Sequence, residues 1–437
     1  MVLSIVICGI TCIAMILSIL FFPKIKIGKI SIDTYWIVTL VGAAILLACG
    51  QADVKKVGSA LISDTAINPV KILVLFLSMT VLSVFLDELG FFQYLASVAL
   101  KRAKTGQTKL FLYLYVTVSI LTVFTSNDVI ILSFTPFICY FAKNAKIDPT
   151  PYLAAEFVAA NTWSMALMIG NPTNIYLATA CGVDFINYLK ISIVPTVLSG
   201  LVAFLALYLL FCKKLASPIE GEAETVVIKD KLLLWVGIVH LGVCTLLLAI
   251  SSYIGLEMWL VSVCAVGSLF LISGIIAIVR RQKPAALLGC VKRAPYPLIP
   301  FVLSMFVLIV VLNEQGVTQA IGNLFGESLP ILKYGTTSFL ASNLINNIPM
   351  SVLYSSIIES TGGAAGLGAV FATIVGSNLG ALFTPIGALA GIMWSNILNK
   401  HGVKFGYLDF LKIGVAVAIP TLVVSLGSLW LMLLVIA

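Results

Sequence analysis

The sequence predicts an all-α polytopic membrane protein with about ten spans and two re-entrant hairpins, arranged as two inverted-topology repeats. Of its 437 residues, 60% are hydrophobic and only 10% are charged, whereas a soluble domain carries about 25% charged residues. Apolar runs close to the roughly 20 residues that cross a bilayer recur along the whole chain. In addition, an apolar segment with an asparagine-containing turn is followed by an interrupted apolar span twice along the chain, which indicates a repeated plan.

Eight apolar runs are uninterrupted and are predicted as simple spans. They cover about 2–22, 34–50, 71–87, 191–212, 232–251, 257–279, 296–313 and 408–436. All but five of the 26 Lys and Arg residues fall in alternate connectors, the exceptions being Lys55, Lys56, Lys71, Lys190 and Lys333. Because cytoplasmic loops carry the excess of basic residues, these connectors are predicted inside and both termini outside, in the cell membrane.

Two other apolar segments are predicted to enter and leave on one side. Segment 110–142 begins and ends in basic sequence, whereas 338–360 is predicted to enter from the opposite side. Polar residues mark the two predicted turns, namely Ser126, Asn127 and Asp128 in the first and Asn346, Asn347 and Pro349 in the second. Because the two hairpins start on opposite sides, the repeats that contain them are predicted to be inverted.

Each hairpin is followed by a span that small and helix-breaking residues interrupt. These spans contain "NTWSMALMIGNPTNI" and "GSNLGALFTPIGALAG". The predicted domains are 1–33, a first repeat 34–212 (hairpin 110–142, broken span 151–180), a linker with a connecting span 213–256, and a second repeat 257–437 (hairpin 332–360, broken span 366–399). Inverted repeats with broken helices place a binding site between them at the membrane midplane.

Helix breaks inside a membrane need a physical justification, because every unpaired backbone group there costs several kcal/mol. Such a break persists beside a cavity or a ligand. Helix N-termini offer donors to an anion, whereas unwound carbonyls suit a cation. Asparagine side chains both donate and accept hydrogen bonds without carrying charge, so the asparagine-containing breaks are candidate sites for an anion and a coupling ion.

Asp128 is predicted to be the buried titratable group of this site, either carrying the coupling ion or capping the hairpin helix. For the asparagines, the competing interpretation is hydrogen bonding between packed helices. For Pro172 and Pro385 it is a simple kink. Glu156 is predicted at the membrane interface.

Other classes of function find little support in the sequence. The net charge of +8 is explained by the sidedness of the loops, so no nucleic-acid partner is predicted. The nine cysteines form no CxxC pair, and the two histidines lie one in a span and one in a basic loop, so no metal site is predicted. No Walker motif is present, and no cofactor is expected apart from the coupling ion. The acidic segment with Glu220, Glu222 and Glu224 is predicted to be a solvated linker.

These motifs resemble the arsenite permease and sodium/proton antiporter branch of the ion transporter superfamily, which also holds dicarboxylate and citrate carriers. The resemblance covers nearly the whole chain. It is carried by "FFPKIKIG", "FLDELGFFQY", "SNDVIILSFTPFI", "ANTWSMALMIGNPTNI", "NNIPMSVL" and "GSNLGALFTPIGALAGIMW". It implies an elevator-type secondary active transporter, often dimeric, with its substrate held between hairpin tips and broken spans.

The resemblance also implies a set of binding residues. They are Ser126, Asn127, Asp128, Asn161, Thr162, Gly170, Asn171, Pro172, Thr173 and Asn174 in the first repeat, and Asn346, Asn347, Pro349, Ser377, Asn378, Thr384, Pro385 and Gly387 in the second. Arsenite permeases show aspartate where this chain has Asn161 and Asn378, and asparagine there is more similar to the anion carriers. A sodium ion near Asn127, Asp128 and Asn346 is one candidate for the coupling ion.

The sequence therefore predicts a transporter of a small anion, similar to arsenite and antimonite permeases and driven by protons or sodium. A sulfate, citrate or dicarboxylate carrier is the alternative within this class. An ion channel is the alternative of another class. A membrane enzyme would need a nucleophile, base or metal constellation that the apolar segments lack. Homodimerisation and association with a soluble ATPase both stay open.

Overall fold

The chain folds into helices apart from one short β-hairpin. The computed structural model describes residues 2–27, 30–51, 53–62, 68–103, 106–219, 227–228, 230–361 and 366–436. The predicted acidic linker with Glu220, Glu222 and Glu224 lies outside the described residues. The all-α fold class predicted from composition and periodicity is confirmed.

The first half of the chain contains the β-hairpin and ten helices. Their bounds are α1 Val2–Phe21, β1 Lys24–Ile27, β2 Ile30–Asp33, α2 Tyr35–Ala48, α3 Val54–Ile62, α4 Pro69–Glu88, α5 Phe91–Ala103, α6 Gln107–Phe124, α7 Asn127–Asn144, α8 Thr150–Trp163, α9 Pro172–Ala180 and α10 Phe185–Leu215. A 3-10 turn, Met168–Gly170, lies between α8 and α9. The β-hairpin and α3 were not predicted from the sequence.

The second half is helical throughout its described residues. The helices are α11 Lys231–Ile250, α12 Met258–Val279, α13 Ala285–Arg293, α14 Leu298–Glu314, α15 Val317–Phe325, α16 Pro330–Ile345, α17 Asn347–Ser360, α18 Gly366–Gly380, α19 Leu389–Lys400 and α20 Tyr407–Ile436. Helix α13, which leads into α14, was not predicted.

Eight stretches of described helix are long and apolar enough to cross a membrane. They are Val2–Ile19, Pro69–Glu88, Gln107–Phe124, Phe185–Leu215, Lys231–Ile250, Met258–Val279, Ala285–Glu314 and Tyr407–Val435. Two shorter apolar helices, Tyr35–Ala48 and Gly366–Gly380, accompany them. Large apolar side chains such as Leu246 and Ile278 are exposed on these helices, as expected of surfaces that face lipid.

Polar residues at helix starts explain several boundaries. Asn68 accepts hydrogen bonds from two backbone N–H groups at the start of α4, which begins with a proline. Asp184 and Asp230 cap α10 and α11 in the same manner. Such caps satisfy donors that have no partner within the helix, so α4, α10 and α11 begin where the chain supplies a capping side chain.

The two halves are related by the way their helices pack. Helix α7 packs against α19 of the other half, and its counterpart α17 packs against α9. In the same way α2 packs against α14, while α12 packs against α4. The helix breaks match as well, because residues 164–171 and 381–388 separate the paired helices by eight residues each. This exchange of partners is the pattern that a twofold relation between the halves produces.

Ion pairs join connectors that the charge pattern assigns to the same side. The pairs are Lys24–Asp33, Lys214–Asp148, Arg280–Asp230, Arg293–Asp87 and Arg293–Glu88 for one side, and Lys56–Glu314 and Lys71–Glu257 for the other. Among the described residues, no ion pair crosses from one set to the other. We call the side with Lys24, Arg293 and Lys400 the basic face.

Helices α16 and α18 approach each other closely through small residues. A Cβ built on Gly376 would collide with Ser338 Oγ and with the carbonyl oxygen of Gly335. One turn along, a Cβ on Gly380 would collide with Ser342. Small residues at this spacing let helix backbones approach in membranes. The contact fixes the first arm of the second hairpin against the second broken helix.

We predict that Gly376→Ala destabilises the folded protein by about 1–3 kcal/mol, because the added methyl group forces α16 and α18 apart. The matched control is Gly267→Ala on α12, where a Cβ meets no atom within 4 Å. That control is expected to preserve or raise stability, since alanine is the better helix former. Thermal unfolding in detergent measures both; equal melting temperatures for the two variants would contradict the close contact.

Candidate functional site

The site lies where the two broken helices meet. Helix α8 ends at Trp163 and α18 at Gly380, and the next α-helices begin only at Pro172 and Leu389. Pro172 is the first residue of α9, with Asn171 as its cap, whereas Pro385 lies within the second break. The two prolines therefore accompany true breaks rather than simple kinks.

Asn378 connects the second broken helix to the first break. Its side-chain Oδ1 accepts hydrogen bonds from Asn171 Nδ2 at 2.8 Å and from Ser164 Oγ at 3.0 Å. Its Nδ2 donates to Asn174 Oδ1 at 2.7 Å. All of these residues are buried. One amide side chain thus joins the two repeats at the place where both helices are interrupted.

Asparagine side chains also form hydrogen bonds within the first break. Asn174 Nδ2 donates to the carbonyl oxygens of Ser164 and Leu167 at 2.8 and 3.4 Å. Asn171 Oδ1 accepts from the backbone and the hydroxyl of Thr173, both at 3.1 Å. A Cβ at Gly170 would collide with the Ser164 carbonyl, so only glycine permits this close approach.

The tip of the first hairpin contacts the first broken helix. Asn127 Nδ2 donates to Asn161 Oδ1 at 3.2 Å, and Asn161 Nδ2 donates to the Phe157 carbonyl. Ser126 caps α7 by accepting from the backbone N–H of Asp128. Asn127 and Asn161 are each at most 2% exposed, so this contact is part of the buried site.

The tip of the second hairpin is bound to the second break. Asn346 Nδ2 donates to the Ile386 carbonyl at 3.0 Å, and the backbone N–H of Asn347 donates to the Gly387 carbonyl at 3.0 Å. Asn346 has φ +70° and ψ 154°, a region that residues other than glycine rarely occupy. Pro349 follows in the first turn of α17 and is buried. The strained tip is thus held by its own bonds to the break.

Thr162 and Ser377 are neighbours of Asn161 and Asn378, and both side chains are completely buried. Within the described residues, neither hydroxyl oxygen has a hydrogen-bond partner. A buried polar group without a partner is costly. These two hydroxyls are therefore the groups of the site that gain most from a bound ligand.

Asp128 was predicted to carry the coupling ion or to cap the hairpin helix, and which of these roles it has stays a prediction. Its side chain is half-buried and lines a cavity of about 280 Å³ together with Lys24, Arg293 and Lys400 of the basic face. Asp128 is the second residue of α7, so its carboxylate points outward from the hairpin tip while Asn127 points toward Asn161. Adjacent residues at a helix start face different directions, which explains the separation.

The prediction that Glu156 lies at the membrane interface is wrong. Its side chain is 1% exposed, and Thr135 and Trp394 bind its carboxyl group. The signal for burial was present, since "LAAEFVAAN" surrounds Glu156 with small and apolar residues on every side of a helix.

Several residues that were not predicted from the sequence also pair with groups at the breaks. Ser164 belongs to the Asn378 network, and Asn343 on α16 donates to the Gly380 carbonyl while accepting from Thr384 Oγ1. Tyr188 and Ser192 on α10 donate to the carbonyls of Met165 and Ala166 at 3.0 and 2.9 Å. Tyr188 and Ser192 occupy ordinary positions of an apolar helix, so the sequence gives no signal that sets them apart.

Long apolar helices, two helix hairpins and two breaks joined across the repeats are the architecture of a multi-pass membrane transporter. The chain belongs to the citrate transporter family, whose sequence pattern matches residues 30–370. The resemblance to the ion transporter superfamily drawn from the motifs is thereby confirmed. Membership identifies a transporter rather than an enzyme.

Curated relatives cover almost the whole chain. An arsenical pump membrane protein of Escherichia coli K12 is 27% identical over 432 residues, which are 91% of this chain and 93% of that protein. A 46 kDa membrane protein of Mycobacterium leprae is 25% identical over 383 residues, 84% and 87% of the two chains. At these identities the relatives support the transporter class.

The fold is also similar to that of a solved structure. The crystal structure of the YdaH transporter of Alcanivorax borkumensis, described as having an unusual topology, aligns with a TM-score of 0.56. The alignment covers 98% of this chain and 97% of that one at 14% identity. The likeness therefore concerns the fold alone.

We predict that Asn378→Ala destabilises the protein by about 1–3 kcal/mol for each buried polar group that loses its partner. Those groups lie on the other repeat, so the loss reports the junction between repeats. Asn323→Ala, at an exposed position of α15, is the matched control and is expected to be neutral. Thermal unfolding that shows the same small change for both variants would contradict the junction.

We predict that Asn346→Gly is more stable than Asn346→Ala by about 1–3 kcal/mol, because only alanine retains the cost of this backbone conformation. Both variants lose the side-chain bond to Ile386, so their difference isolates the strain at the tip. Chemical or thermal unfolding of the pair measures it. Indistinguishable stabilities would mean that the tip is not strained.

Proposed function

We propose that this transporter is a secondary active carrier of a small oxyanion or its uncharged acid, with arsenite and antimonite as the first candidates. The observation that carries the proposal is the uncharged lining of the site. The side chains of Asn127, Asn161, Asn171, Asn174 and Asn378 lie at or next to the breaks, and their hydrogen bonds join amide, hydroxyl and backbone groups.

An amide-lined site suits a small polyhydroxylated solute. Each carboxamide offers donors and an acceptor, and arsenous acid, which is uncharged near neutral pH, presents three hydroxyl groups that need both. The unpartnered hydroxyls of Thr162 and Ser377 add two further groups. The names of the arsenical pump relatives agree with this substrate class.

A citrate or dicarboxylate carrier is the second candidate, because one specific observation favours it. The cavity beside Asp128 is lined by three basic side chains, Lys24, Arg293 and Lys400, which attract anions electrostatically. Arg293 is already paired with Asp87 and Glu88, and Lys24 with Asp33, so the attraction available to a polyanion is reduced. For this reason the oxyanion comes first.

The proposed mechanism is a movement of the hairpins and broken helices that carries the closed site between the two faces. Substrate and coupling ion stabilise the closed arrangement by satisfying groups that the breaks leave free. The coupling ion is a proton or sodium, and Asp128, which lines the cavity of the basic face, is the group proposed to meet it. We further propose a cell-membrane location with the basic face in the cytoplasm and both termini outside.

The test is flux into proteoliposomes that contain only this chain, without ATP, for arsenite, antimonite, sulfate, citrate and succinate under an imposed proton or sodium gradient. We predict gradient-driven flux of an arsenic or antimony oxyacid, and its loss in Asp128→Asn, which removes the charge that meets the coupling ion. Glu327→Gln, at an exposed position, is the control for loss of a carboxylate and is expected to behave as wild type.

Each other result has a defined meaning. Gradient-driven flux of citrate or succinate alone would favour the second candidate. Conductance far above carrier turnover would indicate a channel. Absence of gradient-driven flux for all five solutes would contradict the proposed function, and unaltered coupling in Asp128→Asn would confine Asp128 to the start of the hairpin helix.

A further inference from the structure

A second carboxyl group lies inside the helix bundle, apart from the amide site. Glu156 stands on α8, five residues before Asn161, which is about 7.5 Å along a helix axis. Its side chain is 1% exposed. The proposed function so far gives this residue no role, although a buried carboxyl group is among the most expensive side chains to keep in a membrane protein.

Three helices from both halves surround the carboxyl group. Thr135 Oγ1 on α7 lies 2.8 Å from Glu156 Oε1 and 3.1 Å from Oε2. Trp394 Nε1 on α19 lies 3.3 Å from Oε2. The group therefore connects the second arm of the first hairpin, the first broken helix and the second part of the other broken helix.

No cation neutralises Glu156 within the described part of the chain, because none of its ion pairs includes this residue. Of the titratable side chains around it, Cys139 on α7 is a thiol, and Tyr152 on α8 donates its hydroxyl to Gln107. On α19 and α20 the neighbouring side chains are aromatic, Trp394 and Phe410.

An ionised carboxylate in this environment is poorly compensated. Removing the charge from water costs several kcal/mol, and two neutral donors return only a fraction of that cost. The uncharged acid fits the same geometry. One carboxyl oxygen accepts a hydrogen bond from Trp394, and the protonated oxygen donates one to the hydroxyl oxygen of Thr135. The arrangement of the described residues therefore matches a carboxyl group that holds its proton.

An aromatic cluster packs around Trp394 and includes Phe405 from the connector between α19 and α20. The ring of Trp394 packs against Phe157 at 5.1 Å, Phe405 at 5.0 Å and Phe410 at 5.7 Å between ring centroids. Trp394 is itself a hydrogen-bond partner of Glu156. Moving α19 away from α7 and α8 therefore removes both this hydrogen bond and the aromatic side chains that shield the carboxyl group from water. Water can then reach the carboxyl group.

We propose that Glu156 is a proton-binding site whose protonation is linked to the packing of α7, α8 and α19. The proposal rests on the proposed function in that it assigns one coupling proton to this carboxyl group. In the packed arrangement the O–H bond of Glu156 is intact. When the helices separate, the proton passes to water, and the resulting carboxylate stays hydrated until a proton from the other side restores the acid and permits repacking.

The first test needs no transport. In lipid nanodiscs at neutral pH, the infrared carbonyl stretch of a protonated carboxylic acid is expected in wild type and in Glu327→Gln, and Glu156→Gln is expected to lose the component of this band that belongs to Glu156. Thr135→Val, which removes one hydrogen bond, is expected to shift the band to higher frequency. If Glu156→Gln fails to fold, the frequency shift of the carbonyl band in Thr135→Val tests the proposal instead.

Spectra that are identical in wild type and Glu156→Gln would overturn the proposal. So would a band that Thr135→Val leaves at the same position. Either result would mean that Glu156 is ionised in the packed arrangement or that the band belongs to another group.

The second test links the proton to transport by comparing two measurements in the same proteoliposomes, proton-driven accumulation and substrate exchange without a gradient. In Glu156→Gln, accumulation is expected to fall to the level of gradient-free exchange, while wild type and Glu327→Gln accumulate above it. Accumulation at the wild-type ratio in Glu156→Gln would overturn the coupling role. Absence of exchange in wild type would instead count against the proposed function and leave the infrared result standing.

Discussion

The whole structure depends on the pairing of backbone groups that two helix breaks leave without helical partners in an apolar environment. Such groups are costly wherever water is excluded. In this protein the carbonyls of the first break accept from Asn174, Tyr188 and Ser192, and those of the second accept from Asn343 and Asn346. The site is therefore a by-product of this pairing, because the same amides and hydroxyls that satisfy the backbone converge at the breaks.

The packing of the two repeats against each other combines the two helix breaks into one site. Each break alone would be a local defect, but Asn378 of the second repeat completes the first break, and the second hairpin tip completes the second break. Close packing between α16 and α18 holds the latter in position. The carboxyl groups of Asp128 and Glu156 both lie outside this amide network, but in different environments. Asp128 lines the cavity of the basic face, whereas Glu156 is enclosed by helices from both repeats.

Much of the fold followed from the sequence. The apolar runs gave the long helices, and the tip residues Asn127 and Asn347 are the first residues of the second hairpin arms. Of the predicted binding residues, Asn127 contacts Asn161, and Asn378 contacts Asn171 and Asn174, whereas Asn346 and Asn347 contact the second break. The prediction for Glu156 was wrong because its distance from the end of the segment was taken as the measure of burial, whereas burial depends on which neighbouring helix covers a given face.

The sequence by itself determined what is local, namely composition, helix length, caps, the equal eight-residue breaks and the asparagines that flank them. Only the tertiary structure decided which side chain pairs with which. Asn378 and Asn171 are 207 positions apart, and Glu156 and Trp394 are 238 apart. Hydrophobic periodicity records that a face is covered but not by what, so contacts between the two halves appear only when the chain is packed.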